Sequence, residues 1–170
     1  VTYQILKNDG TVITVNNPQD VPDSGQIAEF REPIVRISFL LPSKHIGDIM
    51  QLSAERRGES IRTEYLSPER AIIVYDLPLA DVIYDMYDKL KSITRGYGSM
   101  DYENAGYKAD KLVKMDMLIN GDPVDAFATI VHRDKAMAYG TMMTAKLKEL
   151  IPRQQFEVPI QAAIGGRIIA

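Results

Sequence analysis

The order of apolar patterns between residues 34 and 103 constrains the fold of this 170-residue chain more than any other feature. Strands show a two-residue period and helices a 3.6-residue period, so the two can be told apart along the sequence. The patterns predict, in chain order, a strand at 34–41, a helix from 46 to Gly58, strands at 60–66 and 71–77, a helix from Pro78 to Gly96, and a strand at 97–103.

Two strand–helix–strand units in this order form the split βαβ, or ferredoxin-like, plan. We therefore expect an α+β fold whose antiparallel sheet carries two helices on one face. Ser43 is the expected N-cap of the first helix. The second helix is expected to bury Leu79, Val82, Ile83, Met86, Tyr87 and Leu90. The solvent-exposed face of this helix is expected to carry Asp81, Asp85 and Asp88.

The chain is expected to divide into residues 1–31, 32–108 and 109–170. The first part has two short strands around an Asp9-Gly10 turn and then a linker, typical of the end of a preceding domain. The last part is expected to be a second small α/β unit, with strands at 112–119, 124–131 and 156–164, a helix at 135–150 and a Gly165-Gly166 turn. A start at Val1 and an apolar end at 167–170 indicate a piece of a longer protein.

The residue inventory excludes several chemistries. The chain has no Cys and two His, which excludes a Cys/His zinc site and a cysteine nucleophile. It has no GxxxxGK[ST] phosphate loop, and neither His45 nor His132 has a recognisable triad context. It has no run of about 18 apolar residues, so we expect no transmembrane segment. We expect no catalytic residue, metal or cofactor in this chain; the rival is a hydrolase or nucleotide-binding domain with an unrecognised site.

Charge is distributed unevenly along the chain. The formal net charge is −3, which by itself argues against binding of nucleic acid over the whole protein surface. Residues 1–31 carry −2, residues 32–107 carry −3, and residues 108–170 carry +2. The last part is therefore basic within an acidic chain.

The basic residues form two candidate RNA-binding clusters. The main cluster flanks the predicted helix at 135–150 and consists of His132, Arg133, Lys135, Lys146, Lys148 and Arg153. Arg133 and Lys135 oppose the helix dipole, a placement that suits phosphate binding; Lys146 and Lys148 agree with the dipole and could be structural. The second cluster is Lys91, Arg95 and Tyr97, for which a helix C-cap and a core tyrosine are an equal alternative.

Several segments resemble a known family of translation factors. Residues 32–35, 46–50, 56–58 and 75–79 resemble the start of the fifth domain of elongation factor G. The more specific segments resemble the LepA, or elongation factor 4, family: residues 88–92, 96–103, 118–121, 124–126, 132–136, 147–154 and 160–165. The resemblance covers essentially the whole chain.

The resemblance implies the C-terminal part of a ribosome-dependent translational GTPase that acts on elongation complexes, with back-translocation of tRNA proposed. GTP and Mg²⁺ would belong to the parent protein's GTPase domain, not to these residues. Expected partners are the ribosome (rRNA and ribosomal proteins) and tRNA, with no DNA. The resemblance implies a cytoplasmic monomer, with peripheral association of the parent at the inner face of the cell membrane left open. The alternative function is a protein-interaction module that binds ribosomal proteins rather than RNA.

Overall fold

The computed structural model describes residues 1–151 and 158–170, which fall into two compact units. The first unit is Glu32–Lys108 together with Val1, and the second combines Thr2–Arg31 with Ala109–Ala170. The described elements are, in chain order, β1 (Tyr3–Lys7), β2 (Val12–Val15), β3 (Ile27–Pro42), α1 (Ile46–Glu55), β4 (Glu59–Ser67), β5 (Arg70–Pro78), α2 (Met86–Ile93), β6 (Ser99–Ala109), β7 (Leu112–Ile119), β8 (Asp122–Pro123), β9 (Thr129–His132), α3 (Arg133–Leu150), β10 (Ile160–Ile164) and β11 (Arg167–Ile168).

The first unit has the predicted split βαβ order. Its strands lie in the order β4, β5, β3, β6, and the β3–β5 and β4–β5 pairs are antiparallel. Both helices contribute to one buried cluster with the odd-numbered face of β3, which comprises Val35, Ile37, Phe39 and Leu41. The predicted α+β, ferredoxin-like fold is confirmed, because a single face of the sheet carries both helices.

Two details of the helix starts differ from the predictions. Ser43 is not the N-cap of α1: it opens a short 3₁₀ turn, and its hydroxyl donates to the carbonyl oxygen of Pro68 at 2.7 Å. The N-cap position belongs to His45, whose side chain makes no capping bond. The second helix begins at Met86 instead of Pro78, after a 3₁₀ turn at Leu79–Asp81.

The late start of α2 changes which side chains are buried. Val82, Met86 and Leu90 are buried as predicted, but Ile83 and Tyr87 are 51% and 55% exposed. Residues 82–84 are β-branched or aromatic, and such side chains lose rotamer freedom in a helix. The predicted buried stripe is therefore wrong at Ile83 and Tyr87.

The second unit has two small cores. The β1–β2 hairpin turns at Gly10, whose φ is +89°, as its Asp-Gly sequence predicts. Ile5 of β1 pairs with Phe30 at the start of β3, and the Tyr3 ring meets the Phe30 ring edge-on at 5.7 Å. Thr2–Arg31 groups with Ala109–Ala170 in one compact unit, whereas the sequence pattern predicted residues 1–31 as a separate part.

The other core of this unit lies between α3 and a five-stranded sheet of order β11, β10, β7, β8, with β9 also paired to β7. The predicted strand at 124–131 is mostly wrong, because Asp125–Phe127 forms a 3₁₀ turn and only Thr129–His132 is extended. The strand predicted at 156–164 is seen as β10, while its residues 156 and 157 lie outside the described part of the chain.

Candidate nucleic-acid interface

Helix α3 presents one face to its sheet and the other to solvent. Ala136, Gly140 and Leu147 are buried, with Tyr139 and Met143 packed around them. A Cβ built on Gly140 would lie 2.9 Å from the Cβ of Ala162, so glycine permits the close approach of helix and strand. The remaining positions of the helix face outward, which determines where its cations can act.

His132 is the N-cap of α3. Its Nδ1 accepts a hydrogen bond from the backbone N–H of Asp134 at 3.1 Å. Its Nε2 therefore carries the proton in the neutral ring and donates to Oδ1 of Asp110, also at 3.1 Å. The side chain is only 10% exposed. His132 thus orients the start of the helix, and its contact with RNA stays a prediction.

The other cations of the main cluster lie at the two ends of α3. Arg133 and Lys135 are exposed in the first turn, and Lys146 and Lys148 are exposed near the last turn. At 100° and 1.5 Å per residue, Lys135 and Lys146 share one flank of the helix, about 16 Å apart along the axis. Arg133 and Lys148 share the opposite flank by the same calculation. Arg153 lies outside the described residues.

Arg56 and Arg57 of the first unit differ from these cations because carboxylates engage them. Arg56 makes a bidentate pair with Asp85 at 2.7 and 2.9 Å. Arg57 makes a bidentate pair with the buried Glu32, both distances 2.7 Å, and its Nε donates to Asp81 at 2.8 Å. Asp81 and Asp85 are therefore ion-pair partners, which corrects their prediction as a merely solvated face.

These pairs shift the acid–base equilibria of their members. The hydrogen bond from Arg56 lowers the pKa of Asp85, and the same bond raises the pKa of Arg56. Burial would lower the pKa of Arg57, but the bonds and charges of Glu32 and Asp81 outweigh it and raise that pKa. Asp85, Arg56 and Arg57 therefore stay charged at neutral pH. By contrast, within residues 1–151 and 158–170 no ion pair engages Arg133, Lys146 or Lys148.

The second cluster lies at the end of α2 and in the turn that follows it. Arg95 is exposed with φ +54°, and Tyr97 is 77% exposed, which excludes the alternative of a core tyrosine. The Nζ of Lys91 lies 5.5 Å from the centroid of the Tyr87 ring. Tyr87 is a surface residue that helical periodicity had predicted on the buried stripe. The β-branched and aromatic residues at 82–84 were the sequence signal for a later helix start.

The first unit also has a cavity of about 240 Å³. Its lining includes three carboxylates, Glu32, Glu59 and Asp76, against two cations, Arg57 and Lys108. Both cations of the lining already face carboxylates, Arg57 with Glu32 at 2.7 Å and Lys108 with Glu59 at 3.5 Å. In the described part of the chain no group of three or more His, Asp or Glu residues could hold a metal ion, and no helix is long and apolar enough to cross a membrane.

Comparisons with known proteins agree with the sequence motifs. Residues 29–118 match the family described as elongation factor G C-terminus, and residues 119–170 match GTP-binding protein LepA C-terminus. The chain is 55% identical over its whole length to elongation factor 4 of Cutibacterium acnes, 56% to that of Mycobacterium bovis, and 52% to that of Lacticaseibacillus casei. It spans 28%, 26% and 28% of these relatives, respectively.

Both matched regions are C-terminal regions of translation factors, and together they account for residues 29–170. The match to the elongation factor G region covers more than half of the chain, and the remainder matches the region specific to LepA. The chain therefore belongs to the elongation factor G and LepA family of translation factors, with its predicted resemblance to LepA, or elongation factor 4, confirmed.

Proposed function

We propose that this chain is the ribosome-binding C-terminal region of a translational GTPase and that α3 contacts RNA phosphates. The exposed cations at the two ends of α3 carry this proposal. Arg133, Lys146 and Lys148 have no carboxylate partner among the described residues, whereas Arg36, Arg56 and Arg57 of the first unit are all paired. Cations that no internal carboxylate neutralises are available to phosphate.

Arg133 and Lys135 add a second argument. Positive charges in the first turn of a helix oppose the dipole and lose about 0.3–1 kcal/mol each relative to neutral residues. A phosphate at this end would be attracted by both side chains, as well as by the dipole. Lys146 and Lys148 extend the proposed surface, and Lys91 and Arg95 of the first unit form a weaker second patch. Arg153, outside the described residues, is proposed as an RNA contact on its sequence alone.

The parent protein supplies the chemistry in this proposal. GTP and Mg²⁺ would be bound by its GTPase domain, because the sequence of the present chain has no GxxxxGK[ST] phosphate loop. The region would dock the factor, in the cytoplasm and as a monomer, on rRNA and tRNA of elongation complexes. Back-translocation of tRNA is the proposed outcome for the whole protein.

Sedimentation of the chain with ribosomes across a salt series tests the proposal. The double substitution Arg133→Glu with Lys135→Glu should weaken binding about tenfold or more and flatten the salt dependence, since two phosphate contacts are lost. The matched control is Lys44→Glu with Arg70→Glu, which changes the same two residue types at exposed positions of the first unit. The control should leave binding within about twofold of the unmodified chain, because these two charges are not part of the proposed α3 interface.

Three outcomes would contradict the proposal. Equal effects of both double variants would mean that net charge alone, not α3, governs binding. Salt-insensitive binding to an isolated ribosomal protein would favour the protein-interaction alternative. GTP turnover by the purified chain would establish the nucleotide-binding rival.

A further inference from the structure

Hydrogen bonds fix the turn that follows α2, and they leave the Tyr97 side chain exposed to solvent. Thr94 is fully buried, and its hydroxyl donates to the carbonyl oxygen of Leu90 at 2.7 Å and accepts the N–H of Gly98 at 2.8 Å. The N–H of Gly96 bonds the carbonyl oxygen of Lys91 at 2.8 Å, with a φ of +85° that favours glycine. The Tyr97 N–H bonds the Thr94 carbonyl at 3.1 Å, yet its ring is 77% exposed.

An exposed ring on an ordered turn is informative about binding. Burying a large aromatic side chain typically stabilises a fold by about 1.5–3 kcal/mol, and Tyr97 contributes little of this to its own fold. Since the backbone of the turn is already fixed, binding of a partner to the ring costs less conformational entropy than it would in a flexible loop. The turn is therefore pre-organised to present Tyr97.

Lys91 connects this turn to a second exposed ring. Its Nζ lies 3.4 Å from the carbonyl oxygen of Gly96 and 5.5 Å from the centroid of the Tyr87 ring, which is 55% exposed. One ammonium group thus bridges the outer face of α2 and the turn that carries Tyr97. We call the group formed by Tyr87, Lys91, Arg95 and Tyr97 the tyrosine surface.

The charge around the tyrosine surface is positive. Arg95 is exposed beside Tyr97, and α2 carries Lys89 and Lys91 against a single carboxylate, Asp88. The nearby Asp85 is engaged by Arg56 and does not offset these cations. Exposed rings flanked by cations match the chemistry of single-stranded nucleic acid, in which a base stacks on a ring while its phosphate meets a cation.

We propose that Tyr97, flanked by Lys91 and Arg95, stacks against an unpaired base of RNA. This inference rests on the proposed function, because it takes the RNA partner from there and specifies its chemistry: an unstacked base of a loop, a bulge or a single strand. A base within a duplex is covered on both faces by its neighbours and cannot accept the ring.

Equilibrium binding of the chain to a labelled single-stranded RNA oligonucleotide and to the same strand in a duplex tests the inference. Tyr97→Leu should weaken single-strand binding about five- to hundredfold, the range expected for one stacked base, and leave the salt dependence unchanged. Tyr97→Phe keeps the ring and should bind within about twofold of the unmodified chain. The matched control is Tyr65→Leu, at a 63% exposed tyrosine of β4 at the opposite edge of the sheet from β6; it should leave binding unchanged.

A spectroscopic test follows from the absence of tryptophan in the chain. Tyr97→Trp introduces a single indole at the turn, so its emission reports only on that position. Stacking should quench this emission when base-containing RNA is added, and an abasic RNA backbone of equal length should not. Equal quenching by both, or none, would overturn the inference.

The outcomes separate this inference from the proposed function. If Arg133→Glu with Lys135→Glu weakens ribosome binding while Tyr97→Leu does not, stacking is refuted and the α3 interface stands. If the unmodified chain binds neither ribosomes nor RNA, both proposals fail. If Tyr97→Leu abolishes binding to an isolated ribosomal protein while single-stranded RNA affinity is unchanged, the tyrosine surface docks protein and the inference is wrong.

Discussion

The buried ion pair between Arg57 and Glu32 gives the most quantitative prediction. Glu32 is 2% exposed and Arg57 is 16% exposed, and two bonds of 2.7 Å join them. Replacing Arg57 with Met keeps an unbranched side chain of similar length but leaves the Glu32 carboxylate buried without a cation. Removing one member of a buried pair destabilises a protein by about 3–5 kcal/mol, so we expect a loss in this range.

A control in the same unit isolates the contribution of burial. Arg36 and Asp76 form a bidentate pair of almost equal geometry, 2.8 and 3.0 Å, but the Arg36 side chain is 42% exposed. Arg36→Met should therefore lower the free energy of unfolding much less than Arg57→Met does, because solvent screens this pair. The double variant Arg57→Met with Glu32→Leu removes both buried charges and should recover most of the loss.

Urea denaturation followed by circular dichroism measures these differences, provided that the slope against urea is the same for all variants. The reasoning is refuted if Arg57→Met is no more destabilising than Arg36→Met. It is also refuted if the double variant is as unstable as Arg57→Met alone, because the loss could not then come from an uncompensated charge.

The remaining predictions concern capping, close packing and pH. His132→Ala should destabilise α3 by about 0.5–2 kcal/mol through loss of its N-cap, while the salt dependence of ribosome binding stays unchanged because no phosphate contact is lost. Gly140→Ala should destabilise the fold by about 1 kcal/mol, since the added Cβ would meet the Cβ of Ala162. Gly47→Ala in α1, where nothing lies within 4 Å of the added Cβ, should stabilise the fold by up to about 1 kcal/mol. Thermal unfolding of both variants checks these opposite signs. Because the folded-state pKa of Asp85 is lowered, its ionised form stabilises the fold above the ordinary value of 3.8, and this contribution is lost as the pH falls below that value. Asp85→Asn should therefore reduce the loss of stability between pH 7 and pH 3, as measured by urea denaturation at both pH values.

Local pattern was sufficient to predict much of the architecture. The alternation in β3, the strands β4 and β5, and the Asp9-Gly10 turn follow from periodicity and glycine geometry, which depend on neighbouring residues alone. The order of these elements predicted the split βαβ sheet, and the positions of the basic residues at the ends of α3 followed from its helical period. The motifs shared with the translation-factor family could likewise be recognised in the sequence alone.

Only the tertiary structure decided how charges and rings are used. Arg57 pairs with Glu32 across 25 positions of the sequence, and Arg56 pairs with Asp85 across 29 positions. No local periodicity could have predicted these partners. The pairing of β7 with β9 brings His132 close to Asp110, where its ring caps the start of α3. Tyr97 is exposed because buried Thr94 fixes the turn with its own hydrogen bonds. Sequence periodicity determined which elements form, whereas the packing of distant elements determined which cations remained available for a partner.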